Sequence, residues 1–148
     1  MPLPPLTETG DLPPGVHVAR LTEVLDRCGG GTSQRQAVAL RLNRISRIAA
    51  AIGDLARLVV FGSFVTAKPE PADVDVFPLM EDIFDASRLT AEARLLFDHA
   101  AAQASFGASV FWFRRQAALE GEAAALELWQ VKRDGSLRGI VEIVPEGP

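Results

Sequence analysis

The sequence predicts a single α/β domain, of the α+β kind, in which helices flank a mixed β-sheet. Its length of 148 residues suits one domain. Segments with the apolar period of a helix are interspersed with segments that have the pattern of a strand. The first two predicted strands are joined by about ten residues, too few for a helical crossover. Those two strands are therefore expected to be antiparallel neighbours.

Composition excludes several classes of protein. A chain of this length buries about two-thirds of its unfolded surface, so it needs no disulfide or structural metal to hold a core. One cysteine excludes a disulfide framework and any zinc site with more than one cysteine ligand. A net charge of −4 argues against a protein that coats nucleic acid. With no signal peptide pattern and no membrane-spanning stretch, we expect a cytoplasmic protein with no membrane partner.

The N-terminal third is predicted to hold an extended arm and two helices. Residues 1–15 contain five prolines and form the arm, which leaves residues 16–148 as the domain. Apolar spacing predicts a first helix from about Val18 to Cys28, ended by glycines. A second helix begins at a Thr32 or Ser33 cap and ends at Gly53.

The remaining two-thirds of the chain supplies the predicted sheet. Residues 57–61 form a buried strand, and a proline-containing loop over 63–72 leads to a second strand over 73–77, which Pro78 ends. The other predicted elements follow in order: a long helix capped by Asp85 or Ser87, a strand over 108–113, a helix over 120–130, a turn at Asp134–Gly135 and a strand over 139–144. Residues 128–132 could instead pair as a strand.

One stretch, residues 57–77, has the residues for phosphate and metal chemistry. Asp73 and Asp75 are two apart on a predicted strand, so both side chains point to one face, about 7 Å apart. Two such carboxylates can hold divalent cations, and Mg²⁺ keeps waters and phosphate oxygens in its remaining positions. Gly62 lets the backbone approach a phosphate, to which the Ser63 hydroxyl can donate. The alternative is a solvated edge strand beside an ordinary turn.

These residues resemble the signature of the polymerase-beta-type nucleotidyltransferase superfamily, in which Gly-Ser is followed at this spacing by Asp-hydrophobic-Asp-hydrophobic. The small single-domain, or minimal, members are the most similar in size. The chain also resembles one bacterial branch of that superfamily in three segments, which together span nearly the whole chain: LPPG-V-H at 12–17, GSFVT leading to the two aspartates at 62–75, and Q-x-x-R-D-G-x-x-x-G-I-V at 130–141.

The resemblance implies a nucleotidyltransferase fold and a Mg²⁺- or Mn²⁺-dependent activity. A nucleotide would pass from a nucleoside triphosphate to a hydroxyl on a protein, RNA or small molecule, in a setting such as a toxin–antitoxin or defence module. Gly62 and Ser63 match the phosphate-contacting pair of the superfamily. Asp73 and Asp75 match its metal-binding, catalytic pair.

The chain departs from the superfamily pattern in two places. Active members carry a third carboxylate on a following strand, whereas residues 109–113 contain no acid. Where active members often have an arginine-rich turn, Thr66 and Lys68 are the only polar substitutes, so we include them in the expected nucleotide site. The alternative function is therefore a catalytically weakened module that binds a nucleotide or a protein partner, and nucleic acid is the less expected partner.

Three other groups of residues have more than one interpretation. Arg35, Arg41, Arg44 and Arg47 are expected on the solvated flank of the second helix, with contact to RNA or an acidic partner as the alternative. His17 could hydrogen-bond back onto the body of the domain. The aromatic residues at 111–113 are expected in the core, and a platform that stacks nucleobases is the other possibility.

Overall fold

A computed structural model describes residues 3–144 and confirms a mixed α/β architecture. Within these residues the chain forms one six-stranded sheet and five α-helices. The strands are β1 (Val16–Arg20), β2 (Leu55–Phe61), β3 (Val74–Met80), β4 (Ala108–Val110), β5 (Phe113–Arg114) and β6 (Ile140–Val144). The helices are α1 (Leu21–Cys28), α2 (Ser33–Ile52), α3 (Ala91–Leu96), α4 (His99–Phe106) and α5 (Glu122–Leu128), and short 3-10 helices lie at Ser63–Val65, Ala86–Arg88 and Arg115–Ala117.

The sheet is mixed, with strand order β1-β6-β2-β3-β4 and with β5 also paired to β3. β2 is antiparallel to both β3 and β6, which confirms the predicted antiparallel pairing of the first two predicted strands. β1 is parallel to β6, and β4 and β5 are parallel to β3. The register places Phe61 opposite Asp75 and Val59 opposite Phe77.

The sheet separates two hydrophobic clusters. Helices α1 to α4 cover one face, where the buried side chains of α2 include Val38, Leu42 and Ile45. On the other face, Leu126 of α5 packs in a smaller cluster with Val59 and Phe77. Three layers result, and the face under α5 is only partly covered.

No helix among residues 3–144 combines the length and the apolar character needed to cross a membrane.

Several local predictions are confirmed because they depend on short-range chemistry. The Thr32 side chain accepts a hydrogen bond from the Arg35 backbone N–H and caps α2. Gly53 ends that helix in the left-handed region, with φ of 88°. The predicted turn at Asp134–Gly135 is present, and Val131 and Leu137 form an isolated bridge across it.

The prediction of a helix from Val18 is wrong at its start, because residues 16–20 form β1 and the helix begins at Leu21. The strand is stabilised by its parallel pairing with β6, which local apolar spacing cannot reveal. The described part of the arm, residues 3–15, packs against the domain. Leu3 and Leu12 are buried, and the Arg27 guanidinium donates to the carbonyls of Leu3 and Pro4.

Two further boundaries differ from prediction, both in and around β3. Pro78 lies inside β3, opposite Leu58 of β2. Its missing N–H is tolerated because the pairing on the other side of β3 is interrupted there, between Val110 at the end of β4 and Phe113 at the start of β5. The predicted strand over 108–113 is split at the same point.

The predicted long helix after β3 is wrong, since the chain there forms a 3-10 turn followed by two short helices. Asp85 caps the 3-10 turn through the Ser87 backbone N–H. Thr90 caps α3, and Asp98 caps α4 through the Ala101 N–H at 2.9 Å. Each cap starts a new helix, so the continuous apolar spacing is divided among three pieces.

Candidate functional site

Asp73 and Asp75 lie at the start of β3, on the sheet face that α5 partly covers. Asp75 is opposite Phe61 of β2 and is registered beside Ser109 of β4. The Ser109 hydroxyl donates to Asp73 Oδ2 over 2.9 Å. The structure therefore brings the two predicted carboxylates together around the Ser109 hydroxyl.

Helix α4 adds a polar group that the sequence analysis did not include. The Gln103 amide nitrogen lies 3.1 Å from Asp73 Oδ2 and 2.6 Å from the Ser109 oxygen. Ser109 was also missed. It could have been flagged as the polar residue that alternates with apolar ones in the third predicted strand, but its position beside Asp75 depends on the parallel register of β3 and β4.

The electrostatics of the pair disfavour two negative charges. Partial burial raises the pKa of Asp75 to about 6, and the negative charge of Asp73 adds to this effect. The positive charge of Arg138 and a hydrogen bond from Ser109 act in the opposite direction. At neutral pH the ionised pair is therefore strained by repulsion and desolvation, which a bound cation would relieve.

Gly62 comes close to a carboxylate. Its φ of 80° lies in the left-handed region, and a Cβ built on it would overlap Asp75 Oδ2. From the sequence, Gly62 is expected to let the backbone approach a phosphate. In the structure, glycine is also needed at this position because a larger residue would displace the Asp75 side chain.

Ser63, Thr66 and Lys68 lie in the turn that follows Gly62. Ser63 is half-buried and begins a 3-10 helix, and its carbonyl accepts from the Thr66 hydroxyl at 2.7 Å. The Thr66 hydroxyl in turn accepts from the Lys68 backbone N–H at 3.2 Å. Lys68 is exposed. The Thr66 hydroxyl thus shapes the turn, and the structure shows no direct contact between these side chains and the two aspartates.

The prediction that Arg35 lies on a solvated helix flank is wrong. Arg35 is buried and binds this turn from α2. Arg35 is only 8% exposed. Its guanidinium donates to the carbonyls of Phe64 at 2.8 Å, Thr66 at 2.5 Å and Lys68 at 2.6 Å, and to that of Cys28 at 2.9 Å. The conformation of the turn therefore depends on a buried charge in α2.

The rest of the loop before β3 is also held by α2. The Thr32 hydroxyl donates to the Pro69 carbonyl at 3.0 Å, and the Gln34 amide donates to that of Pro71 at 2.8 Å. Arg41 donates to the Ala72 carbonyl at 3.2 Å, directly before the first aspartate. In the same helix Arg44 and Arg47 keep the expected place on an exposed surface, where Arg44 pairs with Glu92 and Arg47 bonds Asn43.

A positive charge that acts on Asp75 comes from the segment before β6. Arg138, whose charge acts on Asp75, and Lys132 both pair with the buried Asp11, at 3.8 Å and 3.0 Å. Asp11 belongs to the arm, and the Gly10 carbonyl accepts from the Ala67 N–H at 2.8 Å. Arm, turn and C-terminal segment therefore meet at Gly10 and Asp11.

Two of the quoted sequence segments contact each other in the fold. The Gly15 N–H donates to Gln130 Oε1 at 2.6 Å, and the Gly139 N–H donates to the Leu12 carbonyl at 2.9 Å. The His17 ring nitrogen bonds the Pro13 carbonyl at 2.6 Å, so its partner is the arm and not, as expected, the body of the domain. These hydrogen bonds connect the N-terminal arm to the C-terminal part of the described chain.

The donor set at Asp73 and Asp75 suits a cation that shares its shell with other oxygens. Two carboxylates are enough for Mg²⁺ when waters and phosphate oxygens complete the octahedron. Residues 3–144 contain no cluster of three or more His, Cys, Asp or Glu arranged to hold a metal ion. Glu142 of β6 is paired with Arg57 at 2.5 Å and lies beside Val59 in the sheet register.

Comparisons with known proteins give one match. The model of a family described as "Family of unknown function (DUF6932)" matches residues 4–144. That range begins in the arm and ends with the last residue of β6. No curated protein and no solved structure matches the chain.

Proposed function

This chain belongs to the family of unknown function DUF6932, and we propose that it is a nucleotidyltransferase-like protein with a divalent-metal site at Asp73 and Asp75. Its reaction would transfer a nucleotide from a nucleoside triphosphate to a hydroxyl on a protein, RNA or small molecule. The observation that carries the proposal is the carboxylate pair gathered around Ser109 beside the Gly62 turn.

The chemistry of the proposed transfer makes few demands on the protein. The acceptor oxygen bonds to the α-phosphorus, the bond from that phosphorus to pyrophosphate breaks, and the acceptor proton leaves to water. Mg²⁺ or Mn²⁺ held by Asp73 and Asp75 would supply neutralisation of the phosphate charge. The chain itself would orient the triphosphate through the Gly62–Ser63 turn and through the positive charge of Arg138.

A second function is favoured by one specific observation at the same place. Where β4 passes Asp75 it contributes the neutral hydroxyl of Ser109. The Gln103 amide already satisfies one oxygen of Asp73. A site with two acids and neutral neighbours can bind a nucleotide or a protein partner without efficient catalysis. The alternative is therefore a catalytically weakened binding module that lacks the third catalytic carboxylate.

The test is label transfer. The protein is incubated with Mg²⁺ or Mn²⁺ and each α-³²P-labelled nucleoside triphosphate, with and without cell lysate, and label on macromolecules and small acceptors is counted. The Asp73→Asn/Asp75→Asn variant should lose all transfer. Asp26→Asn, which removes an exposed charge on α1, is the matched control and should retain it.

Thermal shift with metal and nucleotide separates the two functions. Transfer by the wild type that the double variant lacks supports the enzyme. A wild-type melting temperature that rises with Mg²⁺ and nucleotide, without transfer, supports the binding module. If neither transfer nor a metal-dependent shift occurs, the site assignment is wrong.

A further inference from the structure

An open cleft with aromatic walls lies along residues 110–113, where the chain passes from β4 to β5. The cleft has a volume of about 470 Å³, within the range of small-molecule sites. Its aromatic lining consists of Phe97, His99, Phe111, Trp112, Phe113 and Trp129.

Three rings form a continuous surface between this cleft and the carboxylates. The ring of Trp129 lies 4.6 Å from that of Phe61 and 5.1 Å from that of Phe111, between ring centroids. Phe61 and Phe111 are themselves 5.9 Å apart. All three are only half-buried. A contiguous patch of partly exposed aromatic rings is typical of a ligand or interaction site.

The three rings adjoin the carboxylates through the strand registers. Phe61 lies directly opposite Asp75 in the antiparallel pair of β2 and β3. Phe111 is two residues beyond Ser109, so both side chains leave the chain on the same face, about 7 Å apart along the strand. A molecule whose phosphate end shares a divalent cation with Asp73 and Asp75 can therefore lay an adjacent flat group on these rings.

His99 lies at the edge of this surface. Its ring is 5.1 Å from that of Phe111, and its Nδ1 donates to the Val110 carbonyl at 3.3 Å. That hydrogen bond fixes the ring beside the cleft rather than letting it turn freely. His99 is otherwise exposed and starts α4.

We infer that the surface formed by the rings of Phe61, Phe111 and Trp129, which continues into the cleft, binds the nucleobase of the nucleotide whose phosphates lie at Asp73 and Asp75. The inference rests on the proposed function, because that site supplies the phosphate end of the ligand. Stacking is the interaction that half-exposed rings offer to a planar heterocycle, and it is tolerant of base identity. A purely apolar ligand would not use the adjacent charged pair.

The experiment uses Trp129 as the reporter. The chain has two tryptophans, so in a Trp112→Phe background Trp129 is the sole tryptophan. Its fluorescence is titrated with ATP and Mg²⁺, with adenosine, guanosine, cytidine and uridine, and with inorganic tripolyphosphate and Mg²⁺. We expect quenching by ATP and by nucleosides. Replacing Phe111 by leucine should weaken ATP binding about tenfold, the loss expected for one stacking contact.

Phe106→Leu is the matched control, since it makes the same change in a buried ring on the opposite face of the sheet. ATP binding that is weakened by Phe111→Leu and unaffected by Phe106→Leu supports the nucleobase cleft. ATP binding that leaves Trp129 fluorescence and the Phe111→Leu affinity unchanged overturns it while leaving the proposed function intact. The absence of binding by every nucleoside and by ATP also overturns it.

The converse result separates the two proposals. If nucleosides quench Trp129 and lose affinity in Phe111→Leu, the cleft assignment holds. If tripolyphosphate with Mg²⁺ does not bind in the same experiments, and Asp73→Asn/Asp75→Asn binds ATP as the wild type does, the metal site fails and the proposed function fails with it.

Discussion

Replacing Asp75 by asparagine should stabilise the metal-free protein at neutral pH. The substitution keeps the shape of the side chain and removes a charge that is disfavoured by burial and by the neighbouring Asp73. The pKa of Asp75 rises from 3.8 to about 6 on folding, and each pKa unit corresponds to about 1.36 kcal/mol. The full shift would give about 3 kcal/mol, and partial exposure of the side chain to solvent reduces the expected gain to about 1–2 kcal/mol.

The pH dependence of this gain has a definite sign. Because the folded-state pKa of Asp75 is raised, the wild type has its greatest stability from this group below pH 4, where the carboxyl is protonated in both states. That stability is lost as the pH rises through about 6. The advantage of Asp75→Asn over the wild type should therefore be largest above pH 6 and nearly vanish at pH 4.

Urea unfolding at pH 7.5 and at pH 4 measures this difference directly. At pH 7.5 the melting temperature of Asp75→Asn should also exceed that of the wild type by about 3–6 °C, given the size of the chain. Asp26→Asn, an exposed change of the same charge, should change the free energy of unfolding by no more than about 0.5 kcal/mol at either pH. A variant that is less stable than the wild type at pH 7.5, or a gain equally large at pH 4, would refute the reasoning.

The remaining predictions concern the turn and the acid pair. Gly62→Ala should lower the free energy of unfolding by about 1–3 kcal/mol, because a Cβ at positive φ overlaps Asp75. Urea unfolding measures this loss, and an unchanged free energy of unfolding would contradict the overlap. Arg35→Ala should cost about 3 kcal/mol or more by leaving buried carbonyls unpaired, whereas the exposed Arg47→Ala should change the melting temperature little. Ser109→Asp should lower the melting temperature without metal and enlarge the rise caused by Mn²⁺, and equal Mn²⁺ shifts in both proteins would count against a metal site.

Features that depend on neighbouring residues could be predicted from the sequence. The Thr32 cap, the Gly53 terminator and the antiparallel pair formed by β2 and β3 all follow from short-range spacing, and each is present. The placement of Asp73 and Asp75 on one face follows from the same alternation. Each of these predictions uses only residues that are close to one another in the sequence.

Features that depend on distant pairing could not be predicted. Residues 16–20 have apolar spacing compatible with a helix, and only β6, more than a hundred residues later, makes them a strand. Arg35 has the sequence context of a solvated flank, yet carbonyl groups from the turn beyond Gly62 surround it. The neighbours of the acid pair, Ser109 and Gln103, likewise come from elements that only the sheet topology brings there.

The position of β6 between β1 and β2 has a consequence for biosynthesis. β6 follows the five other described strands in the chain, but it is an inner strand of the finished sheet. Until it arrives, β1 has no partner strand among the described residues and β2 exposes one open edge. The nascent chain must therefore keep these strand edges from pairing with other chains until β6 has been made. Closure of the sheet waits for the segment that also carries Arg138, so the aspartate site gains that positive charge only then.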